Sequence, residues 1–119
     1  MGGEGTAACS GDLLLGALAA CAQVTCQMIA ASSGLPVEAV RVHVEGDLDL
    51  RGTLGLSRAA PVGFAAIRVR FELDAPTMSE RDRAALARRT EQYCTVIQTL
   101  LSPPPVEVTW SSDGQAPAR

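Results

Sequence analysis

Residues 13–30 read "LLLGALAACAQVTCQMIA", an apolar run without a single charge and with a thiol, Cys21, near its middle. Stepping about 100° per residue places Leu14, Leu18, Cys21, Thr25 and Met28 on one stripe. Asp12, Gly16, Ala19, Gln23, Gln27 and Ala30 fall on the other side. Ser10 suits an N-cap with Asp12 as the acid of the first turn, Gly34 suits the position just past the C-terminus, and Pro36 forbids continuation. The spacing therefore predicts a long helix over 11–32. One of its faces is greasy and the other is built of small residues, so it needs neighbours on both sides, from sheets or from a second subunit. Gln23, Thr25, Gln27 and the many alanines make it a poor membrane span, and no basic flank follows it. No membrane is expected.

The 119 residues are enough for a single domain, 1–119. They are 47% hydrophobic but only 3% aromatic, so the core has to be built from Leu, Val, Ile and Ala. The net charge is −3, and all ten basic residues are Arg, scattered among acids except from Arg81 to Arg89. Such a balance offers nucleic acid no basic stripe and points to a small-molecule or protein partner. The start, "MGGEGTAACSG", has neither a basic nor an apolar leader region. The expected compartment is therefore cytoplasmic, where a disulfide is transient and catalytic if it forms.

After the helix, Val40, Val42 and Val44 alternate with Arg41, His43 and Glu45, the pattern of a half-buried strand. Gly46 suggests a bulge or bend before Leu48 and Leu50 resume the alternation. Residues 51–63 read as a loop. A second strand, "FAAIRVRFEL", turns Ile67, Val69, Phe71 and Leu73 one way and Arg68, Arg70 and Glu72 the other. Ser79 with Asp82 resembles a capping box for a second helix. Its stripe, Leu86, Thr90, Tyr93, Ile97 and Leu100, runs either unbroken past Cys94 or into a second segment that Cys94 caps. "SPPP" ends it, and "VEVTW" reads as a third strand. Helix, two strands, helix and strand make an α+β class, with the long central helix packed on a thin antiparallel sheet.

Four cysteines carry the chemistry. A buried free thiol is an ordinary core residue, and Cys21 lies centrally on a core stripe. Being mid-helix, it gains nothing from its own helix terminus, so a low pKa requires a cation nearby. Arg41, Arg51, Arg58, Arg68 and Arg70 are the residues able to supply it, while Arg81 to Arg89 are expected to face solvent. At a break in the second helix, Cys94 would stand at a helix start that favours a thiolate. Cys9 lies in a Gly- and Ala-rich lead-in, and Cys26 is about 140° around the helix from Cys21. With a single His43 on a strand there is neither metal-ligand spacing nor a nucleophile–histidine–acid set, so no metal is expected.

Two segments taken together resemble the signatures of the OsmC/Ohr family. "SGDLLLGALAACAQVT" is similar to its central helix, where a Cys follows paired alanines, and "EQYCTVIQTL" is similar to its second motif, where a Cys opens a short helix. The order between them also agrees, over about residues 2 to 110. The resemblance implies an OsmC-like α+β fold in an intertwined homodimer, with central helices wrapped by shared sheets. It implies reduction of organic hydroperoxides by Cys21, a Cys21–Cys94 disulfide, and reopening by an external dithiol or lipoyl reductant without a bound cofactor. Leu14, Leu18, Val24 and Met28 would then line the substrate pocket.

Three positions depart from the family pattern. The chain starts too late for the family's N-terminal strands, which carry an Arg that stabilises the thiolate. The acid that partners this Arg aligns with Gly11, leaving Asp12 one position away as its replacement, and Thr95 stands where Pro is usual. Weak peroxidase activity is the resulting expectation. The alternative is a catalytically weak or inactive dimer of the same fold that binds a small apolar ligand or a protein partner in a stress response.

Overall fold

The computed structural model describes residues 10–112. The elements are α1 (Ser10–Ser32), β1 (Ala39–Asp47), α2 (Leu50–Thr53), β2 (Ala66–Asp74), α3 (Glu80–Tyr93) and α4 (Thr95–Leu101). Gly34 ends α1 with φ 65°, a conformation natural to glycine. Leu35 N–H then reaches back to Ala30 O at 2.9 Å and Gly34 N–H to Ala31 O at 3.2 Å, which satisfies carbonyls that the helix end leaves open. At the start of α3, Ser79 Oγ accepts from Asp82 N–H at 3.1 Å, the cap expected from sequence.

β1 and β2 pair antiparallel without interruption from Ala39↔Asp74 to Asp47↔Ala66. The pairs Val40–Leu73, Val42–Phe71 and Val44–Val69 share one face. Val40 and its neighbours Val42, Phe71 and Leu73 join Cys26, Ala30 and Leu86 in one core between α1, α3 and the sheet. The opposite face is charged. Arg68 pairs with Glu45 at 2.7 Å and Asp47 at 2.8 Å, while Glu72 meets Arg70, His43 and Arg41 at 2.9, 3.4 and 3.6 Å. This face is therefore finished by ion pairs and needs no apolar layer over it.

Four local expectations change. The centre of the buried face of α1 runs through Leu18, Ala22, Cys26 and Ala30, so the stripe through Leu14, Cys21 and Met28 forms its edge. The sheet and α3 cover one side of the helix and leave Leu13, Val24 and Met28 exposed. Gly46 makes no bulge. It pairs in register with Ile67, and a Cβ there would sit 2.7 Å from the Phe64 ring, so glycine makes room for that ring. The 51–63 segment is not wholly loop, because Asp49 caps the short α2 by accepting from Arg51 N–H at 3.0 Å. Among the described residues, "VEVTW" pairs with nothing. Val106, Val108 and Trp110 are exposed without a ladder, and a strand exists only beside a partner. The α+β class stands, on two strands rather than three among the described residues.

By length and composition α1 also qualifies as a bilayer-crossing helix. Here its buried residues face the sheet and α3.

Candidate functional site

The second helix breaks at Cys94. With φ −75° and ψ 112°, Cys94 is extended, closing α3 by donating N–H to Thr90 O and opening α4 by accepting from Gln98 N–H. A continuous helix would direct Thr95 N–H to Glu91 O and Val96 N–H to Gln92 O. The break releases both donors, and the Gln98 side chain takes over Glu91 O at 2.8 Å.

Cys21 lies against those released donors. Its thiol pKa is lowered, chiefly by a hydrogen bond from Val96 N–H, which outweighs the opposing effect of burial. Cys94, Thr25 and Thr95 N–H add to the lowering. Cys94 Sγ donates to Cys21 Sγ across 3.5 Å. Cys94 itself is fully buried, and burial first, then the adjacent Cys21, pushes its thiol up, against a partial offset from Ile97 N–H. The pair is thus asymmetric, with one half-buried sulfur favoured as the anion and one buried sulfur kept as the thiol. Among the described residues no Arg contributes to the lowering at Cys21. Arg41, Arg68 and Arg70 lie on the charged outer face of the sheet, and Arg51 forks onto Asp49. The lowering at Cys21 comes mainly from the backbone amide of Val96. Arg83, expected in solvent, donates to Ala75 O at the end of β2.

This asymmetry predicts a pH dependence. A lowered pKa keeps Cys21 ionised to lower pH than a free thiol, so its alkylation by iodoacetamide should persist to lower pH than that of Cys26, which burial pushes up. Peptide mapping of alkylation rates against pH reads this directly. Equal midpoints for the two thiols would contradict it.

The other candidate residues separate. Leu14 and Leu18 line an apolar cavity of 440 Å³ together with Phe64, Ile67, Ile97 and Leu100. Val24 and Met28 are not among its lining residues and are 52% and 66% exposed. The covering helix α4 reaches the stripe at the level of Leu14 to Cys21 and leaves the next turns open. Asp12 is exposed in the first turn of α1, about 14 Å along the axis from Cys21. His43 sits on the outer sheet face against Glu72. Cys9 lies outside the described residues. Among the described residues no three His, Cys, Asp or Glu side chains gather as a metal site. Thr95 and Val96 reach Cys21 through backbone N–H groups, which no side chain announces in the sequence.

The family model described as "OsmC-like protein" matches residues 3–109. The crystal structure of an OsmC-like protein from Mycoplasma pneumoniae aligns with a TM-score of 0.71 at 20% identity, covering 86% of this chain and 70% of that one. At that identity the likeness concerns the fold. No curated protein matches the sequence.

Proposed function

Because the chain belongs to the OsmC-like protein family, we propose that its two apposed thiols reduce organic hydroperoxides. The observation that carries this reading is the 3.5 Å approach of Cys21 to Cys94, with the first thiol pKa lowered and the second raised. The Cys21 thiolate attacks the terminal peroxide oxygen, the O–O bond breaks, and the alkoxide leaves as the alcohol after taking a proton. Cys21 is then a sulfenic acid. Cys94 sulfur attacks Cys21 sulfur, its proton leaves with the hydroxyl as water, and a disulfide forms. An external dithiol or lipoyl group reduces that disulfide by exchange and is itself oxidised. The apolar cavity beside Leu18 and Ile97 suits an alkyl or aromatic peroxide better than hydrogen peroxide. The expectation of weak activity rested on a missing Arg, and the amides of Val96 and Thr95 offer a different source of thiolate stabilisation.

The test is a stoichiometric dose of cumene hydroperoxide followed by thiol counting. Two thiols should disappear, and peptide mapping should assign them to Cys21 and Cys94. Loss confined to Cys9 or Cys26 would overturn the proposal.

We also infer a homodimer. Leu13, Val24 and Met28, exposed by 66%, 52% and 66%, line the side of α1 that the sheet and α3 leave open. Small residues nearby, Gly16 among them, allow close approach of another helix, since a Cβ at Gly16 would meet nothing. Light scattering at micromolar concentration should give twice the chain mass, and a monomer would refute the inference.

A further inference from the structure

A second cavity, of 360 Å³, lies between α1, β2, α3 and α4 and contains neither Cys21 nor Cys94 in its lining. Its lining includes Phe71 and Leu73 of β2, Leu86 of α3, and a polar pair, Cys26 of α1 with Thr90 of α3. Thr90 is 2% exposed, and its Oγ1 has no hydrogen-bond partner. A buried hydroxyl left unpaired is a net cost, which a valine of the same shape would avoid. The polar group beside it is the Cys26 thiol, whose pKa burial raises; the Thr90 hydroxyl acts on it in the opposite sense, from outside hydrogen-bond geometry. A space of this volume falls within the ~300–1,000 Å³ of small-molecule pockets. An unpaired hydroxyl in an apolar chamber is the arrangement that a ligand with one polar atom completes.

The lining also selects the ligand's charge. It contains no Arg, and its one ionisable oxygen acid, Glu91, is exposed at the edge. A carboxylate would find no counter-charge, and an ammonium only a solvent-screened one. The Thr90 hydroxyl both donates and accepts, so it matches an alcohol or a carbonyl oxygen equally. We propose that this cavity binds a neutral, largely apolar alcohol or carbonyl compound, with its oxygen hydrogen-bonded to Thr90 Oγ1 and its hydrocarbon body against Phe71, Leu73 and Leu86. The site is distinct from the Cys21–Cys94 pair and holds whether or not that pair reduces peroxides.

The probes are 1-octanol, n-octane and octanoate, titrated calorimetrically into the reduced full chain. Binding should be strongest for 1-octanol and weakest for octanoate. Thr90→Val should weaken 1-octanol about tenfold while leaving n-octane unchanged. Ala87→Phe, at the exposed edge of the cavity, should weaken both. Bound 1-octanol should slow modification of Cys26 by a small neutral methanethiosulfonate and leave Cys21 reactive. Absence of 1-octanol binding, an unchanged affinity in Thr90→Val, or protection of Cys21 in place of Cys26 would each overturn the assignment.

Discussion

Cys21→Ser should abolish hydroperoxide reduction, whereas Cys94→Ser should leave one stoichiometric reduction and a trapped sulfenic acid. The two outcomes differ because the two sulfurs are held differently. Cys21 is the half-buried sulfur, and the N–H groups of Val96 and Thr95 favour its anion. A serine there has no accessible anion near neutral pH, so the same amides would have nothing to stabilise and turnover should fall to the uncatalysed background. Cys94 is fully buried with a raised pKa, a poor first nucleophile but well placed 3.5 Å away to condense with an oxidised neighbour. Its serine variant keeps the attack and loses only the second step. Consumption of cumene hydroperoxide with dithiothreitol as reductant reads turnover in Cys21→Ser. The pre-reduced Cys94→Ser is assayed without added thiol, which would itself reduce a sulfenic acid, and dimedone labelling with mass spectrometry reads the trapped product. A protein disulfide formed by Cys94→Ser in that assay would assign resolution to another cysteine.

Closing the Cys21–Cys94 disulfide should raise stability by about 4 kcal/mol, through the loop of 73 residues it would remove from the unfolded ensemble. For a domain of this size that corresponds to a rise of more than roughly 10 °C in melting temperature. The sulfurs must still approach from 3.5 Å to about 2.05 Å. Little packing opposes that motion on the α4 side, because α4 itself has no fully buried residue. Thermal unfolding of the oxidised and reduced forms tests this. An oxidised form that melts at or below the reduced one would mean that closure strains the helices by as much as it constrains the unfolded chain.

The sequence was most informative where local chemistry acts alone. The period of Val40, Val42 and Val44 against Ile67, Val69, Phe71 and Leu73 fixes which sheet face is dry, and the observed register pairs these sets. Gly34 and Ser79 mark their helix ends by backbone conformation and side-chain reach, both local properties. The same alternation already places Arg41, Arg68 and Arg70 opposite the valines, so these residues could not also face a thiol on the dry side. The break at Cys94 was visible only as an alternative. Thr95, Val96 and Ile97 are β-branched and weaken a helix slightly, yet the apolar stripe continues through them. What lies against that break is a sulfur 73 residues earlier, and no spacing rule reaches that far. The strand expected at "VEVTW" had its alternation without a neighbour, and a neighbour is a tertiary fact.

The ion-paired face of the sheet gives the molecule a wet side and a dry side. Three guanidiniums, on Arg41, Arg68 and Arg70, stand among four carboxylates, on Glu45, Asp47, Glu72 and Asp74, so the face carries a net formal charge of only −1. A mosaic of this kind exerts little pull at a distance, and salt should change its encounters little. Pressing another surface against it would strip water from six charges already matched to one another, which outweighs what a new contact returns. The sheet therefore acts as an orienting fence. A partner would then find its contact at the uncovered flank of α1, where Leu13, Val24 and Met28 are exposed.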